Sequence, residues 1–463
     1  MSGALGEVLD ALAARGLPVA EVFAKRGRAR VVEEGPAGVS VSYLREEGWA
    51  ARAGDDRRSL FAAGTGPPDP AGPGGSWPEA DGEALFLPDR EALGIDPDSD
   101  PYREPPDLDA PLLGEREALG LVATFGQELR AELPAVRLLG VRLADGASDW
   151  ELASRPGGIA AAGRSRAAFL RVEAVLAERR EAAAVLEIAA RSAREFDPRA
   201  AARRLADRLA VAARGSSPAR DRGELVIAPA AAARLVAGLV PLLVGGRAIE
   251  LARRLEDRHG RFAAAAVTLI DDGRLPGGVL AAAADGEGLP TAAVVLVEAG
   301  AYRRPLVSWR EAAEVNPGRG RGRGRTVVRA TGCARRPGWR DLPRPGPSHL
   351  YLAPDPEISP ADLLSGVARG YYLLDADGPV TVDLAEDRLS LPVVGFAIER
   401  GQATAPLAGA VLEGGIGSFL RGIDAVARDL GYLPVAGAMV GAPTLRLTGM
   451  ELRRRERDRG SGR

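Results

Sequence analysis

The 463 residues, 46% apolar and 27% charged, suit a globular chain with two or three domains and a sizeable core. A net charge of −2 provides no basic field for nucleic acid or an anionic membrane, and Lys25 is the single lysine among 61 basic residues. One cysteine, Cys333, excludes an intramolecular disulfide and fits a reducing compartment, and two distant histidines, His259 and His349, leave little for a zinc site or a nucleophilic triad.

Leu5, Val8, Leu9 and Leu12 share one face of a helix over residues 3–15, and the acidic Glu7 and Asp10 set it apart from a signal peptide. AEVFAKRGRARVVEEG and GVSVSYLREEGWAARAG read as strands of a meander, giving an N-terminal α+β domain over residues 1–63. Residues 64–110, opening with GTGPPDPAGPGGSWPEADG, are too rich in Pro and Gly for a regular element and form a linker or loop. In a middle region over 111–215, Leu119, Leu121, Val122, Phe125 and Leu129 mark a helix from about Leu113 to Leu133. The strand candidates VRLLGVRLA, WELASR, GGIAAAG, FLRVEAVLAER and AAAVLEIAARS follow. Pro198 then opens the helix PRAAARRLADRLAVAARG, whose arginines form a solvated face.

SSPARDRG, residues 216–223, starts a C-terminal domain that extends to residue 455. ELVIAP is a short strand, APAAAARLVAGLVPLLVGGRA a helix to about Pro241, and RAIELARRLEDRHGRF another helix. The apolar run at 235–244 is too short to span a bilayer, so no membrane association is expected and the location is expected to be cytoplasmic. VTLIDDGRLPGG reads as a strand entering a turn, and PTAAVVLVEAGAYRRPLVSW as a hairpin around residues 298–300. GRGRGRGR, at 318–325, reads as a low-complexity surface loop. The sequence from Thr326 to Leu452 is strand-rich, with helical pieces at SPADLLSGVARG and GSFLRGIDAVARDLG, and the charged tail over 456–463 is expected to be disordered.

There is no P-loop, no GxGxxG fingerprint and no GxSxG elbow. Glu256 and His259, three apart on a helix, supply at most two metal ligands where zinc takes three or four. A nucleophilic Cys333 would need His259, His349 or a carboxylate as its base.

Seven blocks, in order, carry a resemblance: VIAPAAAARLVAGLVPLLVGGRA, TLIDDGRLPGG, DGEGLPTAAVVLVEAG, ATGCARR with PRPGPSHLYLAP, ISPADLLSGVARGYYL, VVGFAIERGQATAPLAGAVLEGGIGSFLRGIDAVARDL and GAPTLRLTGM. From about residue 224 to 452 they resemble the TldD/PmbA family, and AEVFAKRGRARVV with GWAARAG looks like that family's opening domain. The resemblance implies an α+β fold, with an N-terminal helix-and-strand domain and a β-rich, metallopeptidase-like C-terminal domain. TldD-like members carry HExxxH on a helix of that domain. PmbA- or TldE-like members lack it and pair with TldD in a zinc metallopeptidase that cuts unfolded peptides. Aligned on Ala228 and Pro229, the motif falls on Ala237, Gly238 and Leu242, none of which can ligate zinc or activate water.

The resemblance therefore implies the PmbA/TldE branch, with a degenerate active-site helix and no catalytic or metal-binding residue. The chain would be a non-catalytic subunit with a TldD-like, HExxxH-bearing partner that holds the zinc. The substrate would be unfolded peptides or modified-peptide precursors. Arg335 and Arg336, in ATGCARR, are the candidates for contacting peptide or partner. PVTVDLAEDRLSLPVV, residues 379–394, departs from the family's TGD(F/Y)S-like segment, and Cys333 stands where Asn is expected. That divergence motivates an alternative, a stand-alone peptide-binding or scaffold homodimer without proteolytic activity.

Overall fold

In a computed structural model that describes residues 3–55, 58–80, 82, 85, 87–88, 111–178, 181–218, 221–258, 261–316 and 327–455, two separate segments of the chain build one antiparallel sheet. His259, the Arg-Gly run at 318–325, the tail at 456–463 and most of 81–110 lie outside the described residues. The first sheet has the order Ser59–Thr65, Gly38–Gly54, Val19–Gly35, Val136–Arg155, Ala160–Ala177, Glu181–Ala190. Val19–Gly35 pairs with Gly38–Gly54 on one side and Val136–Arg155 on the other. The strands that the sequence divides between the regions 1–63 and 111–215 are therefore hydrogen-bonded neighbours.

Four of the strand candidates merge into two long strands, Val136–Arg155 and Ala160–Ala177. Two glycines within these strands are points of close approach. A Cβ on Gly163 would lie 2.7 Å from the Trp150 ring, and one on Gly146 would lie 3.1 Å from the Ala29 Cβ.

The helices Glu115–Glu132 and Pro198–Arg214 cover one face of this sheet, burying Val122, Phe125, Leu129, Leu205 and Leu209 against Val141, Leu143, Leu170 and Val172. Asp197 starts the second helix by accepting the Arg199 and Ala200 N–H groups, a cap worth about 1 kcal/mol. The same core takes in Val394 and Ala408, so the helix pair is sandwiched between the first sheet and a second one.

That second sheet is mixed, in the order Ile423–Val426, Leu445–Leu447, Glu224–Ile227, Arg369–Ala376, Arg388–Glu399, Gln402–Gly414, Glu451–Arg454, with Thr381–Asp383 added alongside Arg388–Glu399. A third sheet runs Ala301–Tyr302, Ala293–Glu298, Leu269–Asp272, His349–Leu352, Ala438–Ala442, Gly431–Val435. The helix Pro229–Ala237 lies between these two sheets and buries Ala231, Leu235 and Val236 in the largest core of the molecule.

The fold is thus α+β and strand-rich, with a helix-and-strand N-terminal part. Two local readings change. GSFLRGIDAVARDLG is a helix only over Ile416–Gly422; Ile423–Val426 then pairs with Leu445–Leu447, because a sheet edge offers Ile423 and Val426 full burial. A helix at Trp309–Val315 follows the hairpin, started by a capping box between Ser308 and Glu311.

Trp339, from the C-terminal domain, is buried on the first sheet with Phe23, Leu152 and Ile159, and a Cβ on Gly48 would fall 2.3 Å from its ring. Gly48→Ala is therefore expected to cost about 1–3 kcal/mol of stability. Gly120→Ala, on an open helix face with nothing near the new Cβ, is expected to gain up to ~1 kcal/mol. Thermal unfolding of the two variants checks the pair, and equal melting temperatures would contradict the close seating of Trp339.

Candidate functional site

The helix Pro229–Ala237 ends where the aligned motif begins. Gly238 caps it in a helical conformation and donates its N–H to the Arg234 carbonyl at 3.2 Å. Pro241 sits inside the next short helix, Val240–Leu243, and has no N–H to continue the ladder, so the chain tightens and Leu242 N–H reaches the Leu239 carbonyl at 2.8 Å. Tyr302 donates its hydroxyl to the Leu242 carbonyl at 3.0 Å.

Space beside Gly238 is already filled. A Cβ there would lie 2.9 Å from Val382 Cγ2 and 3.2 Å from Val380 Cγ2. Val382 belongs to Thr381–Asp383, which pairs with Arg388–Glu399 with Val382 opposite Leu389. Val380, Val382 and Leu384 pack on the same core as Ala237, Val240 and Leu242. The PVTVD segment is thus the segment that occupies this space. Ala237, Gly238 and Leu242 offer no donor, and among the described residues no three His, Cys, Asp or Glu side chains come together to hold a metal. The residues present here do not fit a zinc ion.

A second concentration of chemistry lies where the C-terminal domain meets the first sheet. Glu21 and Arg52, on adjacent strands, form a bidentate pair at 3.1 and 2.9 Å, with both side chains buried. Arg336 reaches Glu21 from the other domain, donates to the Gly286 carbonyl at 2.6 Å and stacks on the Phe23 ring at 4.8 Å. Burial opposes the charge on Glu21, but the Arg336 and Arg52 guanidiniums outweigh it and hold its carboxyl below the usual carboxylate range.

The loop facing them carries two more buried acids. Asp285 accepts the N–H groups of Glu287, Leu289 and Ala334 at 2.8, 2.9 and 2.9 Å, tying the loop to the ATGCARR segment. Glu287 accepts from Trp309 N–H at 2.7 Å and Arg310 N–H at 3.3 Å. Burial, then the neighbouring Asp285 charge, push the Glu287 carboxyl up.

Of the two arginines singled out in the sequence, Arg336 is engaged inside the chain, whereas Arg335 is half-buried and its guanidinium makes no hydrogen bond or ion pair among the described residues. Its charge acts on Asp271, which accepts the Ser348 N–H at 2.8 Å and which burial pushes up to about 6. His349 is fully committed. Its Nε2 accepts Leu280 N–H at 3.2 Å, so its Nδ1 carries the proton and donates to the Asp272 carbonyl at 2.9 Å, and burial pulls its pKa down to about 4. Cys333 is buried, and that burial pushes its thiol up, away from the thiolate a nucleophile requires. The Glu21–Arg52–Arg336 network escapes sequence reading. Its only signal is a lone acid in AEVF and a lone base in AARAG, each inside a short apolar stretch of its strand.

A family model described as the PmbA/TldA metallopeptidase C-terminal domain matches residues 220–454, just over half of the chain. Three solved structures share the fold along its length. TldE from Thermococcus kodakarensis superposes with a TM-score of 0.80 at 17% identity, covering 97% of this chain and 100% of that one. A candidate modulator of a DNA gyrase from Thermotoga maritima gives 0.75 at 15% identity, covering 97% and 99%. Another, from Bacteroides thetaiotaomicron, gives 0.77 at 15% identity, covering 98% of each. No curated protein matches the chain in sequence. No helix of the described residues is long and apolar enough to cross a membrane.

A carboxyl raised on folding stabilises the fold fully below its unfolded pKa, and this contribution is lost as pH rises through the folded value, which for Glu287 is about 7. Relative to a Glu287→Gln variant, the natural chain is therefore expected to lose stability between about pH 5 and pH 8, at up to ~1.4 kcal/mol per pH unit, and to level off above. Melting temperatures of both proteins across that range read the effect; a gap independent of pH would show that Glu287 is not raised.

Proposed function

The chain belongs to the TldD/PmbA family of metallopeptidase-related proteins, and we propose that within it this is a non-catalytic, TldE-like subunit. One observation carries the reading. The three motif positions hold no metal donor, and the space next to the central one is packed with Val380 and Val382. A catalytic glutamate at position 238 would have to displace a paired strand before it could meet water. Zinc would then be supplied by an HExxxH-bearing partner, and the complex would act on unfolded peptides or modified-peptide precursors. This chain would close one side of the peptide-binding space and stabilise the partner. Arg335, whose guanidinium makes no hydrogen bond or ion pair among the described residues, is the better placed of the two arginines to meet peptide or partner; Arg336 contributes by fixing the segment on which Arg335 sits. The alternative is a stand-alone peptide-binding or scaffold homodimer.

Purification of the chain from its own cells, with identification of bound proteins and zinc analysis, separates the two readings. Recovery of an HExxxH-bearing relative in near-equal amount, with zinc following that relative, is the expected outcome. Recovery of the chain without such a relative, or peptidase activity of the chain alone, would overturn it. Restoring the motif gives a further prediction. The triple variant Ala237→His, Gly238→Glu, Leu242→His is expected to melt lower, by an overpacking cost of about 1–3 kcal/mol, and to retain no stoichiometric zinc. Stoichiometric zinc with an unchanged melting temperature would refute the argument from packing.

A further inference from the structure

Val141, Leu143, Leu170 and Val172 face the helix pair, so the residues between them point to the other side of the first sheet. On that side Glu33, Arg142, Arg171 and Glu187 form one row in register across four strands. Two guanidiniums directly opposite each other repel, and each is drawn outward to an acid. Arg142 bonds Glu33 at 2.7 Å, and Arg171 bonds Glu187 at 2.5 Å and Glu173 at 2.8 Å. The centre of the row is thereby left open. In the next row on this side the small Ala144 stands opposite Phe169, which is 41% exposed.

The C-terminal domain closes a cavity of about 360 Å³ over this spot. Its far wall is Leu280 with Pro434, Ala436 and Met439, the last three from the hairpin that joins Gly431–Val435 to Ala438–Ala442. That wall is fixed. Leu280 N–H bonds His349 Nε2 at 3.2 Å, and Arg191, just past the strand Glu181–Ala190, donates to the nearby Gly278 carbonyl at 2.9 Å. A cavity of this size, apolar inside and set between two parts of a chain, has the form of a ligand pocket.

We propose that this cavity receives one bulky apolar side chain, aromatic or branched, of the unfolded peptide given above as the substrate, and the inference rests on that reading. Charge decides the class of side chain. Around the opening two guanidiniums meet three carboxylates, Glu33, Glu173 and Glu187, and all five groups are in ion pairs. An acidic side chain would approach a net negative rim. A basic one would have to leave water for apolar walls while every acid is already paired. An apolar side chain asks nothing of the rim and gains by transfer of its surface from water onto Ala144, Phe169, Leu280 and Met439. Unfolded chains present such side chains, whereas folded ones bury most of them.

The test uses the full chain and an unstructured peptide with one benzoylphenylalanine, an aromatic residue that on irradiation bonds to nearby C–H groups, those of methionine above all. The label is expected on Met439 or Leu280. The same peptide with Phe in that place is expected to compete at least about tenfold better than the one with Glu. Phe169→Ser, at an exposed position, is expected to lower labelling with an unchanged melting temperature, and Ala144→Trp, which fills the cavity, to abolish it. Phe169→Ser decides alone if Ala144→Trp does not fold. Absent or scattered labelling, equal competition by the Phe and Glu peptides, or labelling indifferent to Phe169→Ser would each overturn the assignment. Labelling that disappears as the chain is concentrated would give the cavity to a second copy and overturn it too. None of these results touches the co-purification of an HExxxH-bearing relative, on which the subunit reading stands.

Discussion

The buried carboxylate of Glu21 is the point on which the arrangement of the two halves depends. It sits in a strand of the first sheet and is held by a guanidinium from the adjacent strand and by another contributed 315 residues later in the chain. Taking three charges out of water is costly, and the cost is met only because each finds its partner. Arg336 brings the constraint to the other domain. Its second bond, to the Gly286 carbonyl, fixes the loop that carries Asp285 and Glu287, and Asp285 in turn holds the backbone at Ala334. Removal of Glu21 alone would leave two buried guanidiniums facing each other, a loss on the order of 3–5 kcal/mol. Trp339 adds the apolar half of the same joint, three residues along from Arg336.

From this joint the remaining geometry follows. Docking the C-terminal domain on one face of the first sheet leaves its other face to the helix pair, which the second sheet closes from beyond. The helix that ends at Ala237 is then deep between two sheets, where an unpaired polar side chain would be expensive and an apolar one is stabilising. The apolar residues at 237, 238 and 242 and the packing of Val380 and Val382 against them are consistent with that burial.

Local periodicity made much of this legible. Leu5, Val8, Leu9 and Leu12 specify the first helix, and all four are buried on one face. Pro198 behind Asp197 specifies another. That Ala237, Gly238 and Leu242 carry no metal donor is legible in the sequence itself; that they stand at the motif positions is what the resemblance implies. What local pattern could not supply was pairing over long sequence distances. VRLLGVRLA and WELASR, and GGIAAAG and FLRVEAVLAER, read as separate pieces because the partners that hold each pair in one strand lie on neighbouring strands. Ile423 to Val426 read as helix because the edge that recruits them is formed by residues 445–447. Of the two arginines in ATGCARR, nothing local distinguishes the one tied to Glu21 from the one that makes no ion pair among the described residues.

The valine plug beside Gly238 also bears on how such a chain can change. Its two halves are some 140 residues apart in sequence, so no single substitution reopens the space and fills it with chemistry. A polar side chain gained on the helix arrives first against a packed strand, and a valine trimmed from the strand arrives first as a cavity. Either order passes through a less stable protein with no compensating activity. With the strand packed into this volume, the fold itself opposes the gain of metal-dependent chemistry on this helix.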